Sequence, residues 1–286
     1  MTKRKKPPRR QQRGPKATVK HQLGPVRFRD HTDSAAKILS NAKPEQLVKV
    51  TLPYLFASIQ AGDAANVCVS SSLVLQRAYA MFGIRSELLP VSIGSAPMDR
   101  PITTASITTY GTDHPRWVGD QLHGHCVLHL PDSDRFVDVT ADQLPDIARE
   151  GLGPIVGAGL HPGAAQTTGA MIAVQRGNRL IVYTPAAPMY QDLILNHPTV
   201  QANLPLAHSA GVKLASLALN AFRAPFVIER ARATPHPRLH KLLDLVADAP
   251  MGSQEGTPET SSLWFEIPTA DGTTTRRQLD ELLPLP

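Results

Sequence analysis

The sequence predicts an α+β fold in which helices pack against an antiparallel sheet, with a cysteine at the start of a largely buried helix. Three observations carry this. The run "NVCVSSSLVLQRAYAMFG" repeats apolar residues at helical spacing and stops at a glycine. The runs "HGHCVLHL" and "RFVDVTADQ" alternate with period two on either side of the turn "PDSD". Amphipathic helical patterns stand on both sides of that hairpin.

The chain opens on a basic segment. Of its 30 Lys and Arg, nine fall in residues 1–20, "MTKRKKPPRRQQRGPKATVK", with no acid among them. The formal charge of +6 is therefore local, because the remaining 21 basic residues face 24 acidic ones. A proline-punctuated basic run without apolar periodicity cannot bury enough surface to offset its ordering entropy, so residues 1–32 are expected to be a disordered tail. Residues 1–30 either solubilise the chain or make weak, non-specific contact with a polyanion through phosphate charge, without sequence readout. The basic start runs into prolines and glutamines and not into an apolar core, so no secretory signal is expected. No window approaches the roughly 18 uninterrupted apolar residues of a membrane span. A cytoplasmic location follows as the expectation, and there Cys68 and Cys126 would both be thiols.

The folded part is expected from residue 33, with a domain reaching 250 and a core over about 60–143. "TDSAAKILSNAKPEQLVKVTLPYLFASIQAG" carries two amphipathic helices, the first capped by Asp33 or Ser34 and the second opening at Pro44. The next helix should run from about Asn66 to Phe82, with Asn66 or Asp63 as N-cap and Gly83 just past its end. Cys68, Leu75, Tyr79 and Phe82 share one face and Val67, Val74, Ala78 and Met81 the next, so most of this helix should be buried. "IRSELLPVSIG" reads as a strand, and the Thr-, Ser- and Pro-rich passage through Pro115 as a loop or irregular strand. In the hairpin that follows, His123, His125, Val127 and His129 should point one way and Gly124, Cys126, Leu128 and Leu130 the other.

These elements frame a chemistry. A cysteine in the first turn of a helix has its thiolate stabilised by free backbone N–H groups and the helix dipole. An imidazole on an adjacent strand could take its proton, and a carboxylate on the next strand could fix the tautomer and stabilise the cation. Cys68, His125 and Asp138 occur in that order.

On "NVCVSSSLVLQRAYAMFGIRSELLPV", "GHCVLHL" and "RFVDVTADQ", the chain resembles the transglutaminase-like branch of the papain-like cysteine enzymes. The resemblance implies a papain-like core, with Cys68 as nucleophile, His125 as general base and acid, and Asp138 as orienting carboxylate. It also implies acyl transfer from a peptide, protein or small amide or acyl substrate, to water in a hydrolase or to an amine in a transferase. The Cys68 backbone N–H would be the first oxyanion donor; Gln60 or Trp117 could supply the second, with Gln60 favoured. The reading invokes no cofactor and no metal.

Two other readings stay open. His123 and His125, about 6.6 Å apart along a strand, could share a zinc ion with Asp138 or water, whereas His129 lies about 13 Å beyond His125. Alternatively the core is a non-catalytic scaffold, and the basic arm does the binding. Cys126 is expected to be a structural thiol, pointing away from His125 among leucines.

Beyond the hairpin, "GAMIAVQRGNRLIVYTPA" reads as a second hairpin with its turn at Arg176, Gly177 and Asn178. "HSAGVKLASLALNAFR" and "PRLHKLLDLVADAP" read as helices, and hairpin and helices together are expected to extend the same domain, flanking the core and shaping the substrate groove. Residues 251–262 are expected to be a linker, and 263–286 a small hairpin and helix in which Trp264 folds back onto the core.

Overall fold

A computed structural model describes residues 28–59, 67–149, 153–158, 163, 167–256 and 261–285. Its helices are α1 (Phe28–Asn41), α2 (Pro44–Ile59), α3 (Cys68–Met81), α4 (Pro145–Ala148), α5 (Met189–Leu195), α6 (Pro198–Phe222), α7 (Ile228–Arg232), α8 (Pro237–Leu245) and α9 (Leu279–Leu282). The strands are β1 (Glu87–Pro97), β2 (Thr108–Gly111), β3 (Arg116–Val118), β4 (Gln121–His123), β5 (His125–Leu130), β6 (Arg135–Asp138), β7 (Ile155–Ala158), β8 (Ile172–Arg176), β9 (Arg179–Pro185), β10 (Met251–Gln254), β11 (Ser262–Pro268) and β12 (Thr274–Arg277).

The class is α+β. The main sheet is antiparallel throughout, in the order β7-β6-β5-β1-β9-β8, with β2 also paired to β1. Strands β7 and β8 at its two ends approach each other, so the sheet curls nearly closed. The curl encloses a small core of Val91, Ile93, Val127, Phe136, Ile155, Ile172, Ile181 and Tyr183. The outer face of the sheet meets the helices in a larger core, where Cys126, Leu128 and Leu130 of β5 join Leu75 and Tyr79 of α3 and Leu219 and Phe222 of α6. The period-two alternation of β5 thus separates its side chains between two apolar interiors, and all six residues are buried.

Helix α3 lies between β5, α2 and α6 and buries nearly its whole circumference, which accounts for apolar residues on two adjacent faces. It ends at Phe82, and Gly83 follows at φ +75°, the left-handed position expected of it. Among the described residues no helix is long and apolar enough to cross a membrane.

Several expectations are corrected. Helix α1 begins at Phe28, inside the segment expected to be a tail to residue 32, so neither Asp33 nor Ser34 caps it. The N-cap of α3 is Val67, with no side-chain capping bond, and not Asn66 or Asp63. The strand expected over His123–Leu130 is broken: β4 pairs with β3 in a separate two-stranded sheet, and β5 starts afresh at His125. Gly124 stands at the break, where a Cβ would lie 2.7 Å from the Cβ of Pro115. The hairpin β8–β9 does not flank the core; β9 pairs along β1 in the middle of the sheet. Helix α6 opens at Pro198, ten residues before His208, where the sequence pattern set its start. Residues 251–254 of the expected linker form β10, which pairs with β11. In β11 it is Phe265 that enters the core, while its neighbour Trp264 faces the other way, half-buried beneath the Arg276 guanidinium at 4.6 Å.

Candidate active site

Cys68 occupies the first turn of α3, where the initial helical bond runs from the Ser71 N–H to the Val67 carbonyl at 2.8 Å. The N–H groups ahead of it have no intrahelical partner, which leaves positive partial charge around the sulfur. The side chain is only 7% exposed.

His125 opens β5 and is buried. Its Nε2 lies 3.0 Å from Asp138 Oδ2, which leaves Nδ1 as the other ring nitrogen, and the Cys68 sulfur is near enough to act on the imidazole electrostatically. Asp138, the last residue of β6, has no solvent exposure. Its Oδ1 accepts the Thr140 N–H at 2.9 Å and the Thr140 hydroxyl at 3.1 Å; its Oδ2 accepts the Tyr183 hydroxyl at 3.0 Å as well as the imidazole. Both carboxylate oxygens are thus tied down from β5, β9 and the turn after β6.

The electrostatics follow from this contact set. Burial opposes the imidazolium, but the Asp138 carboxylate and the Cys68 sulfur outweigh it and raise His125 to about 10. Burial likewise pushes Asp138 up, and the His125 charge with the donated hydrogen bonds reverses this and holds its carboxyl below the usual range. The neighbouring Cys126 thiol, together with His125, overcomes burial and lowers Cys68 well below an ordinary thiol. Burial and the neighbouring carboxylate push the Tyr183 hydroxyl up, so it serves as a donor. The arrangement can hold a thiolate beside an imidazolium in a site closed to water.

Three sequence-predicted residues, Cys68, His125 and Asp138, are therefore brought together. Gln60 lies outside the described residues, as do Asp63 and Asn66. Trp117, on β3, packs against the helix-side core and stacks on His197 with ring centroids 3.9 Å apart; its Nε1–H has no hydrogen-bond partner among the described residues. His123 sits on β4 opposite Arg116, and not beside His125 on one strand as a shared metal site would require. His129 is buried with its Nε2 3.6 Å from Asp134 Oδ1. Among the described residues no three His, Cys, Asp or Glu side chains converge as metal ligands.

Sequence reasoning missed Tyr183 and the part played by Thr140. The latter had a local signal, since a hydroxyl residue two after an aspartate commonly closes a turn on that carboxylate. Tyr183 had none: it reaches Asp138 through the pairing of β1 with both β5 and β9. Cys126 lies buried among leucines in the helix-side core, and the neighbouring Cys68 together with burial pushes its thiol up. Compared with models of protein families, with curated proteins and with solved structures, the chain matches none.

Proposed function

We propose that this protein is a cysteine-dependent acyl-transfer enzyme, built on a papain-like core of the transglutaminase-like kind. One observation carries the reading: a buried imidazole is hydrogen-bonded to a fully buried carboxylate, and a helix-start thiol stands close enough for the imidazole to act on it. A purely structural role would not call for an ionised Asp138 with four donors in the interior, because burying charge is costly unless it is held for use.

In the proposed reaction the Cys68 thiolate attacks the carbonyl carbon of an amide or ester, forming an S–C bond while the carbonyl pair moves onto oxygen. The Cys68 backbone N–H at the start of α3 is a donor for that oxyanion, and the unpaired Trp117 indole N–H is an available second one. Collapse breaks the bond to the leaving group, which takes the proton from His125. Water or an amine then gives a proton back to His125 and displaces the acyl group, so that one relay serves a hydrolase and a transferase alike. Asp138 keeps the imidazole in the tautomer with its proton on Nε2 and stabilises its cation. The substrate is a peptide, a protein or a small acyl compound; residues 1–30, mostly outside the described part, would add only salt-sensitive polyanion contact.

The test uses p-nitrophenyl acetate as acyl donor. We expect a burst of nitrophenol and an acetyl group on the Cys68 peptide, absent in Cys68→Ala, with added hydroxylamine dividing transfer from hydrolysis. Turnover without acylation of Cys68, or none at all alongside ordinary thiol reactivity, would remove the reading.

A further inference from the structure

We propose that residues 112–124 are a gate over Cys68, a segment that leaves its seat on α5 and α6 to admit the acyl donor. The inference rests on the acyl-transfer reading above and states how the substrate of that reaction reaches its nucleophile.

The site is shut as it stands. Cys68, His125 and Asp138 are 7%, 6% and 0% exposed, which leaves the sulfur no open approach for a carbonyl carbon. A covalent step at that sulfur needs part of its cover to move.

The register of the sheet shows which part. Ser92 of β1 stands opposite Gly111, the last residue of β2, and the next residue back, Val91, stands opposite His125, the first of β5. Strands β2 and β5 thus continue one another along β1, and the chain between them leaves the sheet and returns at one point. A glycine stands on each side of that point. Gly111 holds φ +69°, and a Cβ on it would lie 3.1 Å from the His125 nitrogen; Gly124 is the residue before His125.

From this root the excursion crosses the start of α3. A Cβ on Gly211 of α6 would stand 2.5 Å from the Arg77 Cβ of α3, and further along Phe222 meets Phe82 edge-on at 5.8 Å between centroids. The two helices therefore run parallel, and counting back along both sets the first turns of α6 level with Cys68. There the excursion is fastened. The Thr199 hydroxyl donates to Asp120 Oδ1 at 2.5 Å, Trp117 stacks on His197, and His114 Nδ1 lies 3.0 Å from the Tyr190 hydroxyl of α5. Between root and fastening, Trp117 and Leu122 pack inward on the core that holds Cys68.

The fastening is weak. Both hydrogen bonds are exposed, where water competes for each partner. The stack leaves Trp117 Nε1 and His197 Nδ1 buried without partners among the described residues, a cost that release to water removes. Strands β3 and β4 pair with each other over three residues and with no strand of the main sheet. A ribbon so small has little stability of its own, so it can open while the sheet that holds His125 and Asp138 stays folded.

The experiment labels Cys68 and Cys126 at pH 7 with iodoacetamide and with a maleimide-polyethylene glycol, read by peptide mass spectrometry, in wild type and in the double variant Asp120→Ala, Tyr190→Phe. The variant should label about fivefold faster at Cys68, with the larger gain for the bulky reagent, and no faster at Cys126. Cys126, 1% exposed in the same core, registers global unfolding. An unchanged rate at Cys68, or equal acceleration at both cysteines, would overturn the gate. The acyl-transfer reading fails separately, on an ordinary-thiol pH midpoint at Cys68, which leaves the ratio of variant to wild type intact. Should the variant fail to fold, amide hydrogen exchange of the wild type decides. The β3–β4 amides should exchange through an opening that low urea does not accelerate, unlike those of β1 and β5; a shared urea dependence would refute the gate.

Discussion

Strand β5 carries two buried histidines, His125 and His129, and each is near an aspartate later in the same hairpin, Asp134 in the turn and Asp138 at the end of β6. Only one of the pairs has the geometry that the proposed relay needs. Asp138 is fully buried, receives four hydrogen bonds and meets His125 at 3.0 Å. Asp134 is one-third exposed, spends its other oxygen on the Gly163 N–H and stands 3.6 Å from His129, beyond a hydrogen bond. A His–Asp pair becomes chemical machinery when the carboxylate is withdrawn from water and held by donors from several elements; proximity along a hairpin is not enough.

The largest effect that could break this contrast is on Cys68 reactivity. His125→Ala should slow iodoacetamide labelling of Cys68 at pH 6 by about tenfold to a hundredfold, as the imidazolium that favours the thiolate is lost. His129→Ala should leave that rate within about twofold and show its cost only in thermal stability, and an equal loss of labelling in both variants would erase the distinction. Next come the aspartates. Asp138→Asn should depress turnover of a nitrophenyl ester, less than His125→Ala does, by favouring the wrong tautomer; Asp134→Asn should leave turnover unchanged, as asparagine also tolerates the left-handed backbone at φ 46°.

A smaller effect sharpens the account of why Asp138 is special. Tyr183→Phe removes one donor from a buried carboxylate and should cost about 1–3 kcal/mol in denaturant unfolding. It should also lower turnover by less than Asp138→Asn; unchanged stability would mean that the tyrosine only fills space. The last test is a slope. His125 is raised from its ordinary 6.5 to about 10, so folding takes up a proton between those values. Its stabilising contribution is complete below pH 6.5 and is lost as pH rises through about 10. Cys68 releases a proton on folding and offsets this, so the measurement belongs in the Cys68→Ala protein. There the melting temperature should fall from pH 6.5 toward 10, and the fall should vanish when His125 is also replaced.

What could be read in the sequence was local. The helix opened by Cys68 and closed before Gly83, the alternation over β5, and the return strand ending at Asp138 each depend on periodicities a few residues long, and those periodicities hold in the fold. Long-range pairing carried no such trace. Nothing in "RLIVYTPA" announces that β9 enters the middle of the sheet, so Tyr183 was assigned to an extension and not to the site. The break at Gly124 was hidden for a different reason: alternation of "HGHCVLHL" continues unchanged across two strands that belong to separate sheets.

Strand β1 supplies no chemical group to the site, yet the two partners of Asp138 that come from other strands are aligned on it: Val91 stands opposite His125 and Ile93 opposite Tyr183. The spacing between the imidazole and the phenol is thereby measured out along two residues of a strand that reacts with nothing. An insertion or deletion of one residue between Val91 and Ile93 would turn one of the two strands over relative to the other and leave the carboxylate with half its support. Descendants of this chain are free to lengthen the passage after Pro97 or the turn at Gly177, while the length of this three-residue stretch is as constrained as the identity of the cysteine.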